Sequence, residues 1–580
     1  MTQIDAIKQA PLMVKKFYTM LLGGTLTMVV VSALLMSDSI IAGAFIGSDA
    51  VAGITLVTPL YALSAFFGSI FSLGVPILYS TEMGKFRKHE ANRYFGIGLL
   101  MSILVGLALF ALIFAFGDRY LRSYHPLEPV LEQARGYLFW MRFTILLLPL
   151  DMLMAEMVYD DGDESISTIA NAVQGVGNIT TSLVLSRFMG IRGIALASFL
   201  FTFVSIAILC THLLKKSNSL RLNLCFSFRK LVSIVRFSVI DASSYLFLSV
   251  GSAGLNWFVS MYFGAEYLIL VSVIAFCRES QLVFDGIGEA MRPILSIYLG
   301  EDCFPGVRSI YGVAKRVAVE EGILLLLLMQ LIAPAVPMLL GVSDAVMRGY
   351  VVAGVRIISL GSVFVSLLYL SSSYYLLLDK IMLGLIVSAL RDVLAAAPLC
   401  VVLGIAFGVY GFFAGFAVAP LVAGLISMLL LRIRYSSDVP LLLKQRERGK
   451  EALLYSLMVE PENIIDTRDQ IGIALSGRGF DKKTVNRAML LFEELFMLIH
   501  EKNQKERILA ECAFLIEKDN IRIITRDTGM QLDLSDSDMA ISSLRSYIIS
   551  NVADSVCSRK QHLVTMSFNR NMFELQGSRK

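Results

Sequence analysis

Residues 18–46 read YTMLLGGTLTMVVVSALLMSDSIIAGAFI, a run with one formal charge, Asp38. Roughly 20 mostly apolar residues suffice to cross a bilayer as a helix, so this stretch is read as a membrane span. A carboxylate inside a span costs at least about 2.5 kcal/mol. A cost of that size points to use: Asp38 is expected to face a water-filled cavity and to bind a proton, a cation or a substrate. The bland alternative is a carboxylate near the end of the span that reaches the interface or pairs with an arginine.

Working outward, further apolar segments lie at about 54–80, 94–117, 132–158, 165–186, 190–214, 234–262, 265–299, 318–340, 350–378, 381–407 and 411–432. They are continuous rather than alternating, which argues for helices over a β-barrel. With the first, they predict an all-α polytopic membrane protein of twelve spans, followed by a small α/β sandwich domain. The composition agrees. The chain has 580 residues, 56% hydrophobic and 17% charged, with the apolar excess almost wholly before residue 435. The net charge of +4 is modest and the basic residues sit in short loops, so no nucleic-acid partner is implied. The seven cysteines (210, 225, 277, 303, 400, 512, 557) form no CxxC, no zinc spacing and no disulfide framework. They are read as reduced structural thiols, and no metal site is expected. The first apolar run is too long for a signal-peptide core of roughly 7–15 residues. Residues 1–16, with Lys8, Lys15 and Lys16, read as a short basic lead-in at the membrane face.

Orientation follows from where the basic residues fall. Lys85, Arg87, Lys88 and Arg93 follow the second span, and Lys215, Lys216, Arg221, Arg229 and Lys230 follow the sixth. Arg308, Lys315 and Arg316 follow the eighth, and Arg432 and Arg434 the twelfth. The opposite loops are poorer, though they hold Arg119, Arg122, Arg187 and Arg192. Both termini are therefore expected on the cytoplasmic side of a bacterial-type inner membrane.

The two halves echo one another. Pro76-Ile-Leu returns as Pro293-Ile-Leu 217 residues later, and Gly84 returns as Gly300 after 216. Gly190-x-x-Gly193, opening the sixth span, returns as Gly408-x-x-Gly411 after 218. Agreement on one offset predicts duplication into repeats of about 15–214 and 234–432. Six spans per repeat keeps the repeats parallel, with a substrate site between them.

In the eighth span Arg278, Gln281, Asp285, Glu289 and Arg292 recur at i, i+3, i+7, i+11 and i+14, which predicts one shared helix face. That face reads either as a polar cavity wall containing Asp285 and Glu289 or as a self-neutralising ladder. Arg391 and Asp392, adjacent in the eleventh span, read as a structural ion pair rather than as ligands.

The composition changes after Tyr435. Residues 436–450 form a charged linker, and 451–580 read as a soluble α/β domain. Strands are expected at 453–459, 508–516, 521–525, 563–568 and 572–575, with a turn at Asp519-Asn520 and helices at 461–478, 483–502 and near 539–556.

Two resemblances follow. GVPILYSTEMGKFRKHEANRYFGIG (74–98), VQGVGNITTSLVLSRFMGIRGIALAS (173–198), GIGEAMRPILSIYLGE (286–301) and SALRDVLAAAPLCVVLGIAFGVYGFFAG (388–415) resemble multidrug and toxic compound extrusion (MATE) transporters over residues 15–435. The resemblance implies that Asp38 is the first-span acid used for cation coupling, with Asn178 beside it in the fifth span and Asn256 in the seventh. An Asp expected four residues after Asn178 is Ser182 here, which puts the identity of the coupling ion, H⁺ or Na⁺, in doubt. The tail, through LLFEELFMLI (490–499) and ITRDTGMQLD (524–533), resembles the ATP-binding domain of anti-sigma-factor serine kinases, a branch of the histidine-kinase-type ATPases. It implies a nucleotide site at Glu494, Asp527 and Gly529. The departures outweigh the match. The metal-binding Asn position is Leu498, which cannot hold Mg²⁺, and 534–550 has no glycine for a phosphate lid. An Asp-x-Gly turn alone is more often a plain turn. A degenerate domain without ATP binding or kinase activity is expected, serving as a surface for a cytoplasmic regulator or a second copy of itself.

The leading functional expectation is an ion-coupled exporter of cationic or amphipathic small molecules, not an enzyme and without a cofactor. Export of a lipid-linked or peptidic molecule, and a membrane-anchored sensor signalling through 451–580, are the alternatives. No GxxxxGK[ST] motif is present, which disfavours ATP-driven transport.

Overall fold

The computed structural model describes residues 12–576 except 85–86, 216–217, 222, 224–225, 379, 436–438, 445–446, 448–449, 504–506, 518–519, 531, 533–543 and 564–565. The expected lead-in before residue 12, part of the linker, Asp519 of the predicted turn, and the first part of the glycine-free stretch lie outside the described residues. The helices are α1 Leu12–Phe45, α2 Ser48–Gly84, α3 Lys88–Arg122, α4 Glu128–Asp160, α5 Glu164–Met189, α6 Ile191–His212 and α7 Phe228–Phe258. They continue with α8 Ile269–Ser280, α9 Asp285–Gly300, α10 Phe304–Ile332, α11 Ala345–Ser359, α12 Ser362–Leu377, α13 Ile381–Ala389 and α14 Ala396–Tyr435. Lys15 and Lys16 belong to α1 itself rather than to a separate lead-in, and Lys16 is buried.

Among the described residues nine helices are long and apolar enough to cross a membrane, or ten when α11 and α12, bent by 49° at their junction, count as one span. Two places separate this number from the twelve expected. Helix α5 is 26 residues long but carries Ser, Thr, Asn and Gln along its length, which lowers its hydropathy. The last helical stretch, Ile381–Tyr435, counts once at 55 residues. A straight helix of that length would measure roughly 80 Å at 1.5 Å per residue, against a hydrocarbon core of about 30 Å. It is broken at Gly408, whose φ of 64° and ψ of −148° are non-helical.

Gly408 also repeats a conformation seen earlier in the chain. Gly190, 218 residues earlier, has φ 58° and ψ −139°, a conformation open almost solely to glycine. The second glycine of each pair repeats its packing too. A Cβ on Gly193 would stand 2.4 Å from the Leu185 carbonyl oxygen, and one on Gly411 1.9 Å from that of Leu403, again 218 residues on. Thr55 and Ser272, 217 apart, share a hydrogen bond of 2.6 Å between their hydroxyls.

The described chain divides into two compact units, residues 27–284 with 318–427, and residues 1–26 with 285–317 and 428–580. The first is helical and leaves large side chains such as Phe188, Leu324 and Phe407 exposed, as surfaces facing lipid do.

In the second unit a five-stranded antiparallel sheet has the order β1-β2-β3-β5-β4. Its strands are β1 Lys450–Met458, β2 Leu509–Glu517, β3 Asn520–Asp527, β4 Ser555–Leu563 and β5 Met566–Gln576. Helices α15 Pro461–Ser476, α16 Lys482–Lys502 and α17 Leu544–Val552 accompany it. Alternation along the strands directs Cys512, Phe514, Ile521, Ile523 and Phe573 into one core with Phe492, Phe496 and Ile549. The expected helix to 556 stops at Val552, and the expected strand 563–568 straddles the end of β4 and the start of β5. SVCSRKQHL (555–563) is too polar for a single sequence to mark it as a strand.

The opposite face of this sheet is buried as well. Its Glu511 accepts from the Tyr298 hydroxyl at 2.7 Å and from Arg526 at 2.8 Å. Arg526 also pairs with Glu301, which takes Arg570 at 2.8 Å on its other oxygen. Arg526 is 0% exposed. Lys450 pairs with Asp302 at 2.6 Å, and Lys16 lies 4.4 Å over the Phe568 ring. Burial pushes the Glu511 carboxyl up to about 7, opposed by the Tyr298 hydrogen bond. The sheet is thus joined by buried charge to the end of α9, and α9 meets α1 closely at Gly24 and Gly286. A Cβ on Gly286 would come within 2.7 Å of the Thr25 amide nitrogen.

Candidate functional site

Asp38 lies three-quarters of the way along α1, inside the apolar run. Its Oδ2 accepts from the Tyr137 hydroxyl of α4 at 2.8 Å and from the Ser198 hydroxyl of α6 at 3.3 Å. Ser198 also reaches the Asn178 side-chain oxygen of α5 at 3.4 Å, and Ser182 donates to the same oxygen at 3.1 Å. Asp38 Oδ1 is shut off from solvent and has no partner. Among the described residues no Lys, Arg or His pairs with Asp38. Four helices therefore converge on a carboxylate held by neutral hydroxyls alone. Hydroxyl donors favour the charged form without cancelling its charge, so this carboxylate is suited to taking up and releasing a cation or a proton.

The interface-and-arginine alternative for Asp38 is not what the structure has. Asn178 and Ser182 do stand one helical turn apart on α5 and belong to the Asp38 cluster. Asn256 is elsewhere: it is fully buried, its amide donates to the Thr55 carbonyl at 3.0 Å, and its Oδ1 has no partner.

The expected single face of the eighth span is split. A 3₁₀ turn, Gln281–Phe284, separates α8 from α9. Arg278 accordingly lies 3.7 Å from Asp392, while Glu289 pairs with Arg292 at 2.7 Å in the manner of the ladder. Asp285 opens α9, in the same compact unit as Glu289. Arg391 holds Asp392 with two hydrogen bonds of 2.8 and 2.9 Å and stacks on Tyr369. That pair is structural, as its adjacency suggests.

Two further acids of the helical unit escape the sequence reading. Glu279 of α8 is within electrostatic reach of Asp38, and the Ser32 hydroxyl of α1 donates to its carbonyl at 2.7 Å. Asp151 of α4 is buried, accepting from Gln174 at 3.0 Å. Its nearness in sequence to Asp160, Asp161 and Asp163 makes it look like part of a loop; only its position inside the apolar segment 132–158 signals otherwise.

In the sheet domain, Glu494 is tied to Arg545 at 2.5 Å, and Leu498 is packed in the core. Asp527 accepts from the Gly529 amide at 2.9 Å and from Asn569 at 2.8 Å. Burial raises its carboxyl, and these two bonds oppose the rise. Asn503 closes the turn from the other side, accepting from the Met530 amide at 2.9 Å. The Asp-x-Gly segment is thus a turn held through Asp527 Oδ1, while Asp527 Oδ2 is buried without a partner among the described residues.

A family model described as MatE matches residues 25–184. No curated protein gives a significant match. An inward-facing multidrug resistance MATE family transporter of the MOP superfamily aligns with a TM-score of 0.65 at 18% identity, over 70% of this chain and 95% of that one. A MOP superfamily transporter from Pyrococcus furiosus, described as having a binding pocket of reverse polarity, gives 0.59 at 17%, over 75% and 98%. A MATE protein in complex with MaD3S gives 0.56 at 18%, over 75% and 99%. This chain therefore has the fold of the MATE-type transporters.

Proposed function

We propose that this protein is a secondary transporter of the MATE type, an antiporter that exports cationic or amphipathic small molecules against inward flow of H⁺ or Na⁺. The observation that carries the reading is Asp38: a carboxylate amid four membrane helices, bonded only by Tyr137 and Ser198, with one oxygen unpartnered. An ionised carboxylate left in that state is costly, and a proton or monovalent cation relieves the cost. A cationic substrate competes for the same charge, which is the elementary requirement of exchange. Twelve spans in two parallel repeats fit the break at Gly408 and the 26-residue α5, and the basic loops support a cytoplasmic position for both termini. The test is substrate flux in proteoliposomes under imposed pH or Na⁺ gradients. A protein that binds substrate yet moves none under either gradient is not this antiporter.

The domain at 451–580 is read as a regulatory module without ATP hydrolysis or kinase activity. Glu494 is engaged by Arg545, and Leu498 supplies no metal ligand. What supports regulation is the buried cluster Glu301–Arg526–Glu511, which ties the sheet to the end of α9. Removing one partner of a buried ion pair costs about 3–5 kcal/mol, so Arg526→Ala is expected to free the sheet from α9 and to change the transport rate without changing ion dependence. Unchanged rates with the domain released, shown by new protease sites around residue 450, would discard the regulatory role. The same contact favours the sensor alternative, which predicts ligand binding with no flux.

A further inference from the structure

Asp151 is 5% exposed and lies within the membrane-spanning part of α4. The groups facing it are Tyr61 from α2, Gln174 from α5, and Thr202 and Ser205 from α6. Helix α3, which also packs on α4, has no charged residue between Tyr94 and Gly117. Among the described residues no cation pairs with Asp151. Its Oδ2 accepts from Gln174 Nε2 at 3.0 Å, and that nitrogen also reaches Thr202 Oγ1 at 3.3 Å.

Two atoms of this cluster are left over. Asp151 Oδ1 and the hydroxyl of Ser205, itself 0% exposed, are both buried without a hydrogen-bond partner. The Ser205 hydroxyl faces Asp151 as a donor, short of a well-formed hydrogen bond. Unmet polar groups in an interior are rare, and each is costly. The Ser205 hydroxyl can serve either form of the carboxyl, as donor to the anion or acceptor from the acid, so the charge decides: a proton on Oδ1 removes a charge that no neighbour balances.

We propose that Asp151 is a second proton-binding carboxylate of the amino half, carrying its proton on Oδ1 toward Ser205. The proton is taken from water and returned to water, so no other reactant is needed. The site is linked to Asp38 through α6: Thr202 donates to the Ser198 carbonyl at 2.8 Å, and Ser198 donates to Asp38. Tyr61 lies within electrostatic reach of both acids. Loading one carboxylate is therefore felt at the other. Proton uptake at Asp151 does not depend on the antiporter reading; its contribution to coupling does.

The test is infrared difference spectroscopy of the full-length protein in detergent, titrated with acid and base, which requires no transport. A protonated-carboxyl C=O band is expected that disappears in Asp151→Asn and persists in Asp38→Asn. The same band is expected to shift in Ser205→Ala, which keeps the acid and deletes its acceptor. Titration spectra that are identical for wild type and Asp151→Asn overturn the proposal. Should Asp151→Asn fail to fold, an unshifted band in Ser205→Ala overturns it equally.

Discussion

Asp38 and Asp392 are both carboxylates inside membrane helices, and they are neutralised in opposite ways. Asp392 is gripped by Arg391 and faced by Arg278, so its charge is cancelled by the protein itself. Asp38 has hydroxyls and an orphaned oxygen. The offset of 218 extends the contrast to the whole neighbourhood. Asp38, Tyr137, Asn178, Ser182 and Ser198 correspond to Asn256, Val355, Ala396, Cys400 and Phe416. The amino half thus has a polar cluster in which no cation is found among the described residues, whereas at the positions 218 residues later only Asn256 is strongly polar. On the antiporter reading proposed above, the difference assigns ion exchange to the amino half. The carboxy half has closed its charges into a fixed pair.

That contrast can be broken at four points. The largest effect is expected from Asp38→Asn, which keeps shape and hydrogen bonding but removes the titratable charge. Gradient-driven flux should fall to background while the protein still inserts and binds substrate, and normal flux across the pH range would move the coupling site elsewhere. Asp392→Ala should act on stability instead. It strands Arg391 and Arg278 in a buried place, at a cost of about 3–5 kcal/mol. Thermal unfolding should report that loss, and the protein that does fold should retain its ion dependence. A matching loss of ion dependence would mean that the carboxy half also exchanges ions.

Ser182→Asp sharpens the comparison from the other side by adding a carboxylate next to Asn178. A shift toward Na⁺ dependence is expected, with an apparent Na⁺ affinity up to about tenfold tighter, equal to 1.4 kcal/mol. Flux measured against Na⁺ at fixed pH reads it, and an unaltered profile would show that the carboxylate added there does not join the exchanging site. The smallest effect belongs to Asn256→Leu. It deletes one bond to the Thr55 carbonyl together with an unsatisfied Oδ1, so the net change should stay within about 1 kcal/mol and flux should be unaffected. A large loss of flux would make Asn256 a working counterpart of Asp38.

Much of this was legible in the sequence, for identifiable reasons. A lone acid in an apolar run stands out, and so do glycines recurring at a fixed spacing, because both are local signals. Gly190 and Gly408 even share their unusual backbone angles. Tyr137 was not legible, since a tyrosine within an apolar segment gives no sign of which carboxylate its hydroxyl meets. The face shared by Arg278 through Arg292 failed because periodicity assumes an unbroken α-helix, and a 3₁₀ turn interrupts it at Gln281–Phe284. The buried face of the sheet was invisible for another reason. Glu511, Arg526 and Arg570 read as solvent-facing positions of an alternating strand, and only their distant partners Tyr298 and Glu301 make burial tolerable.

The contact between Lys16 and Phe568 has a bearing on synthesis. The Leu12 amide donates to Ser456, and the Lys16 ammonium rests on a ring more than five hundred residues further along. At roughly 5–20 residues per second, the ribosome takes on the order of 30–110 s to pass from one to the other. Throughout that interval the first turns of α1 lack their cover from the sheet, although the spans between have entered the bilayer. The second unit is therefore assembled last, from the earliest and the latest parts of the chain. A message cut short anywhere before β5 leaves membrane helices whose opening turn lacks its Phe568 cover.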